Sequence, residues 1–404
     1  MWSRLRLDIE WSDLARALCN WLIPDTQRTS QGRLETLWSG GENDALACLS
    51  VRSGFDLLLQ ALNLPKGSEV LFSAITIRDM SKIAQFHELV PVPVDLDGSD
   101  FHVDIESLRQ AVTPRSRVLV VAHLYGARPD LRELQAMALE HDIFVVEDCA
   151  QAWSGKDWRG DEHADASLFS FGAIKTATCL GGAMCRVKDS RVLARMRQIQ
   201  ARQPTQYRLN LPLRACKFGC LKALSGKYIF GWVTRLSGYC GKSIDGLLRG
   251  LTRGFSDHEL MPQLRQQPAL GLLRMMEHRI RGYDQIRINR RVENARRIIT
   301  TLGLAESQPE LLDKRHSFWL FPLMTDQSAD LVSYLRSHGF DSTQRGSMEV
   351  VPPPAGRESL FCHKATKLLN RTVFLPCYSE IPIEAIDEMC ILIANSTSWN
   401  KVVQ

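Results

Sequence analysis

One lysine, Lys175, stands in an otherwise uncharged run from Ser167 to Met184, twenty-seven residues after Asp148. That acid, with Glu147, closes an apolar run, Ile143-Phe-Val-Val146, which has the pattern of a buried parallel strand. Open α/β sheets bind ligands at the carboxyl ends of their strands, so an acid there is placed to do chemistry. A lysine held in an apolar pocket gives up its proton more readily than one in water and can form a Schiff base with a carbonyl compound. The other reading is a side chain that lays its stem on apolar surface and carries its charge to water. Spacing alone leaves both open.

The elements that must position these two groups read as repeated βα units over residues 44–150. The chain enters an apolar helix at Val51-Arg-Ser-Gly-Phe-Asp56, turns at Pro65-Lys-Gly67, and continues through strand patterns at Glu69–Phe72, Leu89–Asp95 and Val118–Val121. Between them lie a helix over Asp104–Ala111, capped by the aspartate, and another from Asp130 to about Glu140. Right-handed crossovers then make a mainly parallel sheet. Ser53-Gly54 at a helix start can present backbone N–H groups to a phosphate. His123, at the end of Val118–Val121, either holds its turn or faces the site. After Lys175 the pattern gives a strand over Ala183–Val187 and a helix over Arg191–Gln200.

Four segments emerge. Residues 1–43 form an N-terminal amphipathic helix, over 12–23 with Ser12 as cap and Leu14, Leu18, Trp21 and Leu22 on one face until Pro24, followed by a polar, turn-rich arm. Residues 44–207 form the large α/β domain. The stretch 208–255 is basic and aromatic: nine Lys/Arg and one acid, Asp245, fall between Arg208 and Arg253. It suits either amphipathic helices on an anionic membrane or an insertion covering a dimer contact. Residues 256–404 form a smaller α+β domain. It has a long helix over about 271–302 bearing seven arginines between Arg279 and Arg297, read as solvated, strands at 317–322 and 372–376, and a final helix over 383–394.

Bulk properties exclude several classes. With 404 residues, 45% hydrophobic and 24% charged, the chain is long enough for a large core, and disorder does not dominate. A net charge of +5 gives no reason to expect nucleic acid. Eleven cysteines, scattered without paired CxxC spacing, suit reduced thiols in a cytoplasmic protein, and no metal-ligand set stands out; Cys216 and Cys220 are the nearest pair. The first 25 residues mix charges into the apolar pattern, unlike a signal peptide, and no run is apolar enough to span a bilayer.

The blocks Glu147-Asp-Cys-Ala-Gln-Ala152 and Phe169-Ser-Phe-Gly-Ala-Ile-Lys-Thr176 resemble the signature of the DegT/DnrJ/EryC1/StrS family of sugar aminotransferases. The local likeness is to perosamine-synthetase-like members, whose lysine is also followed by a Thr-x-Thr pattern, here Thr176 and Thr178. The resemblance runs through most of residues 40–200 and more weakly through the last third. It implies fold type I, the aspartate-aminotransferase-like fold of pyridoxal-phosphate enzymes, and a homodimer. It implies that Lys175 carries pyridoxal 5'-phosphate as a Schiff base and serves as the proton-transferring base once displaced. Asp148 would face the pyridine nitrogen and Gln151 the phenolic oxygen, while Ser53, Gly54 and Ser170 would hold the phosphate. The donor would be glutamate, and the acceptor a keto-sugar on a nucleotide or, given the basic stretch 208–253, on a lipid, with peripheral membrane contact.

Several positions depart from the family pattern. Phe55 replaces the threonine after Ser53-Gly54. Ile77 falls where relatives carry an aromatic that stacks on the cofactor ring. Leu260 and Pro262 stand at the Asn-x-Arg step, and the acid that usually precedes Gly181-Gly182 is missing. These changes keep two alternatives in view: a binding or regulatory subunit that retains the fold, and an elimination chemistry of the desulfurase kind, for which Cys362 is the late cysteine.

Overall fold

In the computed structural model, which describes residues 1–4, 6–20, 26–98, 101–239, 255, 259–344 and 346–399, a seven-stranded sheet carries the site. Its strands are β1 (Ala45–Cys48), β2 (Glu69–Ser73), β4 (Val90–Val94), β5 (Ser116–Ala122), β6 (Phe144–Asp148), β7 (Ala166–Ser170) and β8 (Ala183–Val187); β3 (Ile75–Ile77) lies outside it. The order is β1-β8-β7-β6-β5-β2-β4. The pairings from β4 through β2, β5 and β6 to β7 are parallel, and β8 runs antiparallel to both β7 and β1. Two reversals return β1 to the direction of β7. The residues that follow β1, β5, β6 and β7 therefore emerge along one edge, where open sheets of this kind bind ligands.

Both faces of the sheet are covered, which is why its strands are apolar without alternation. Helix Val51–Leu62 packs Phe55, Leu58 and Leu59 on one face with Val70, Phe72 and Val146. On the other face, helices Ile105–Ala111 and Arg132–Glu140 cover Leu71, Leu119 and Val145. Farther along, Leu14, Leu34 and Trp38 of the N-terminal helices join Leu272, Met275 and Met276 of helix Leu270–Arg281 over Phe169 and Met184. A second sheet, of order β10-β12-β9, comprises β9 (Phe321–Met324), β10 (Thr343–Gln344) and β12 (Thr372–Leu375). It packs with helices Ile286–Leu302, Ser328–Ser337 and Ile383–Asn395. The remaining strand, β11 (Met348–Val350), crosses back and pairs antiparallel with β3, tying the C-terminal part to the edge where the site lies.

Four local expectations are corrected. The first helix is Trp11–Cys19, capped by Glu10 rather than Ser12, because Glu10 and Asp13 satisfy each other's backbone N–H groups in a capping box. The expected Trp21, Leu22 and Pro24 lie outside the described residues. The polar arm contains a helix, Gln27–Ser39: Thr26 accepts a hydrogen bond from the Thr29 N–H, Gly40 closes the other end at φ 63°, and Leu34 and Trp38 are buried. The long helix over 271–302 is two, Leu270–Arg281 and Ile286–Leu302. Its arginines are not simply solvated, since Arg279 and Arg291 are each only 8% exposed. The strand expected at 317–322 begins only at Phe321, because Phe318 takes a left-handed backbone (φ 47°) and turns into the core. Of the basic stretch, helices Asn210–Leu224 and Lys227–Tyr239 are described, the first packing on helix Trp11–Cys19; Asp245 lies outside the described residues.

Candidate active site

Asp148 is the last residue of β6 and is 9% exposed. Its backbone C=O accepts from the His123 N–H at 3.0 Å, and its Oδ1 accepts from the Ala150 N–H at 3.0 Å. Burial pushes its carboxyl above the usual aspartate range, against the opposing pull of the Ala150 amide and the Lys175 charge. Lys175 sits in the turn after β7, where its N–H bonds the Gly172 C=O at 3.0 Å. Its Nζ lies 4.0 Å from the centre of the Trp319 ring. Burial lowers its amine to about 8, with Asp148 opposing the shift and Arg52 adding to it. The side chain is half-buried, its amine lies over an indole face within the electrostatic reach of a carboxylate, and its lowered pKa is close to what a nucleophile needs near neutrality.

The lysine loop is bound on all sides. The N–H groups of Cys179 and Gly181 both donate to the Phe171 C=O, at 2.9 and 3.2 Å, folding residues 171–181 back on themselves. The Ala177 N–H, on a residue with φ 52°, donates to Asp8 Oδ2 at 2.8 Å. Trp319 Nε1 donates to the Ile174 C=O at 3.0 Å, Arg279 Nε to the Thr178 C=O at 3.2 Å, and Arg291 Nη1 to Thr176 Oγ1 at 3.3 Å. Asp8 is itself clamped by the Tyr283 hydroxyl at 2.6 Å and by Arg287 at 2.6 Å. Burial works to raise its pKa, but these partners outweigh it and leave the carboxylate below the usual range. Residues separated by more than a hundred positions thus fix where the Lys175 amine can point.

Gln151 is buried in the turn after β6, its Oε1 accepting from the Tyr125 N–H at 2.8 Å and its Nε2 lying 3.6 Å from Met348 Sδ. Ser170, at the end of β7, is half-buried and accepts from the Gly172 N–H at 3.3 Å. Helix Val51–Leu62 starts two residues before Ser53, with Ser50 as its cap. The Ser53 N–H donates to Ser50 Oγ at 3.1 Å and the Gly54 N–H to the Ser50 C=O at 2.9 Å, so neither amide is spare. What an anion would meet from Ser53 is its hydroxyl, 3.0 Å from that of Ser50. Gly54 has a packing role: a Cβ there would stand 2.3 Å from Cys185 Sγ, on β8. Gly54→Ala is expected to destabilise the protein by about 1–3 kcal/mol, as overpacking of a close helix–strand contact does, measured by urea unfolding.

The departures from the family pattern find places too. Phe55 points into the core against Phe72, ring centres 6.2 Å apart, so that position gives no hydroxyl to a ligand. Ile77 pairs with Met348 across β3 and β11. An aromatic face does meet Lys175, supplied by Trp319 from the other part of the chain. His123 is buried with Nε2 2.8 Å from Glu147 Oε1 and its ring edge-on to Trp158, the arrangement of a turn-holding histidine. Cys362 is 1% exposed, caps helix His363–Arg371, and has its thiol pushed up to about 12 by burial, the reverse of a mobile catalytic thiolate.

Sequence reasoning passed over Arg52, one residue before Ser53. Its Nε lies 3.2 Å from Asp79 Oδ2, and its charge acts on both Lys175 and Asp148. A base at the second position of a helix that starts from a strand end was the available signal. Trp319 and Arg291 were hidden by distance along the chain.

An amine of lowered pKa, a buried carboxylate and the paired hydroxyls of Ser50 and Ser53 at a helix start fit a cofactor with an aldehyde, a basic ring nitrogen and a phosphate. Residues 38–208 match the DegT/DnrJ/EryC1/StrS aminotransferase family. Over almost the whole chain the fold is that of solved aminotransferases. The aminotransferase TlmJ from Streptoalloteichus hindustanus superposes with a TM-score of 0.70 at 15% identity, covering 97% of this chain and 98% of that one. NtdA from Bacillus subtilis with bound cofactor PMP gives 0.65 at 18% identity, covering 96% and 82%. DesI in the presence of its TDP-sugar product gives 0.68 at 18% identity, covering 96% and 91%. The matched residues, 38–208, carry Ser53, Gly54, Asp148, Gln151, Ser170 and Lys175.

Proposed function

We propose that this aminotransferase moves an amino group from glutamate to a keto-sugar carried on a nucleotide or a lipid, with Lys175 and Asp148 as its catalytic residues. The observation that carries the reading is the half-buried Lys175, its amine lowered to about 8 and lying over Trp319 within electrostatic reach of Asp148. Pyridoxal phosphate, when bound, supplies the electron sink that lets an amino acid's α-proton leave. Lys175 would hold the aldehyde, and its amine, with a pKa lowered to about 8, could take up and give back a proton near neutral pH. Asp148 would face the ring nitrogen and hold the charge that makes the sink effective. Gln151 would orient the ring through its side-chain amide. The hydroxyls of Ser50, Ser53 and Ser170, with Arg52, would hold the phosphate.

The sugar assignment is supported by the family likeness and by the fold shared with DesI, whose structure contains a TDP-sugar product. We take residues 44–207 as the cofactor-binding domain and 256–404 as the smaller domain, with an arm at 1–43 and an insertion at 208–255. On the two described helices of that insertion Leu213, Leu224, Tyr228, Ile229 and Trp232 are exposed among lysines, which supports peripheral contact with an anionic membrane or a covered dimer face. No helix among the described residues is long and apolar enough to cross a membrane.

The test is an absorption spectrum of the protein with pyridoxal phosphate, before and after glutamate, followed by addition of a nucleotide-linked keto-sugar. The expected result is a visible band that glutamate discharges and the keto-sugar restores. A band that glutamate leaves unchanged would reject the donor, and one that the keto-sugar fails to restore would reject the acceptor. Flotation with anionic liposomes, comparing Tyr228→Ser/Trp232→Ser with the unaltered protein, reports on the membrane contact: lipid binding should fall in the variant, and an unchanged float with an altered sedimentation coefficient would assign the surface to subunit contact instead.

A further inference from the structure

Two residues of the loop that carries Lys175 have a left-handed backbone although neither is glycine: Ala177 at φ 52° and Leu180 at φ 63°. That conformation is disfavoured for a residue with a Cβ and persists only where its surroundings hold it. Leu180 is held from within the loop, its N–H donating to Thr178 Oγ1 at 3.0 Å. Ala177 is held from outside. Its N–H, two residues after the lysine, donates to Asp8 Oδ2 at 2.8 Å, so the turn that aims the Lys175 side chain closes on a carboxylate 169 positions away.

Asp8 is fixed in turn. The Tyr283 hydroxyl donates to its Oδ2 at 2.6 Å, and Arg287 Nε stands 2.6 Å from its Oδ1. Arg279, buried in helix Leu270–Arg281, joins arm and loop a second time: Nη2 donates to the Asp8 C=O at 2.5 Å, Nη1 to Asp13 Oδ2 at 2.7 Å, and Nε to the Thr178 C=O at 3.2 Å. The arm and the lysine loop are therefore one hydrogen-bonded unit. Asp8 meets the backbone of that loop, while the charges that act on the Lys175 amine are those of Asp148 and Arg52. Its influence on the lysine runs through position.

We propose that Asp8 is a positioning residue for amino transfer: by capturing the Ala177 N–H it holds the left-handed turn that sets where the Lys175 amine points. The inference rests on the amino-transfer reading and adds to it a residue that acts on the lysine through its loop. It also gives the N-terminal arm a reason to cross to this edge of the sheet. A reacting group misplaced by about 1 Å can lose on the order of 10²-fold in rate, so a loosened turn has a measurable cost.

Single-turnover conversion of glutamate by the cofactor-loaded protein tests it, together with hydrogen exchange of the peptide over 171–181. Asp8→Ala should lower the maximal rate by about 10–100-fold, leave the half-saturating glutamate concentration unchanged, and quicken exchange in that peptide while the amides of β5 and β6 keep theirs. Adding Ala177→Gly to Asp8→Ala should recover about fivefold of the lost rate, the fold-change that matches the strain of one left-handed residue bearing a Cβ, because glycine takes that backbone freely. A maximal rate unchanged in Asp8→Ala would overturn the proposal. So would a loss that Ala177→Gly leaves unrepaired, or a rise in the half-saturating concentration with the maximal rate kept, which would make Asp8 a substrate contact. If Asp8→Ala melts below the assay temperature, Tyr283→Phe, which removes only the hydroxyl that fixes Asp8, decides: the maximal rate should fall at least about threefold, and no fall would overturn the proposal. Failure of the parent reading looks different, because the unaltered protein would then show no visible band that depends on Lys175.

Discussion

Lys175→Ala is expected to reduce amino transfer by at least about 10⁴-fold, the upper end of what losing one positioned proton-transfer group costs, because the same amine also holds the cofactor. The fold should survive. The side chain makes a ring contact with Trp319 but carries none of the loop's backbone bonds, which run through Phe171, Ala177, Cys179 and Gly181. Single-turnover measurement of glutamate conversion, beside a thermal melt, separates the two effects. A variant that melts normally and still transfers at a tenth of the original rate would remove Lys175 from the mechanism.

The second large effect is expected at Asp148. Asp148→Asn keeps the shape of the side chain and its place at the end of β6, but removes the negative charge. Amino transfer should fall by about 10²–10³-fold, as loss of one preorganised electrostatic partner does elsewhere, mainly in kcat. The charge also bears on Lys175. Asp148 is what opposes the burial-driven lowering of the amine to about 8, so its removal should move the amine further down. The rate at which apoprotein captures pyridoxal phosphate depends on the neutral amine. It should therefore rise with pH through about 8 in the unaltered protein, and in Asp148→Asn reach its plateau at lower pH. Stopped-flow absorbance across pH 6–10 measures this, and a midpoint near 10.5, the ordinary lysine value, would contradict the burial of the amine.

What the sequence made legible follows from the range of the forces involved. Val118–Val121 and Ile143–Val146 were recognisable as buried strands because hydrophobic pattern is local, and Asp148 stood out because a charge at the end of such a run is unusual. Helix Gln27–Ser39 was missed for the complementary reason. Its buried side is narrow, Ser30, Leu34 and Trp38, and its polar residues match those of a loop. The arginines over 279–297 show where pattern reading stops. On a helix, a solvated arginine and one buried against Thr178 or Ser317 have the same spacing, and only the tertiary partners distinguish them. The clamp from Asp8 to Ala177 spans 169 positions, and nothing near either residue announces it. Ser53-Gly54 was visible as a helix start, yet the reason for the glycine, the sulfur of Cys185 behind it, belongs to the packed protein.

The most direct test of Lys175 as the lysine that holds the cofactor is borohydride reduction of the protein with pyridoxal phosphate, followed by peptide mass spectrometry. A single phosphopyridoxyl group on Lys175, lost in Asp148→Asn only to the extent that cofactor binding weakens, is the predicted result. A label on another lysine, or none on Lys175 when the cofactor is demonstrably bound, would contradict the account.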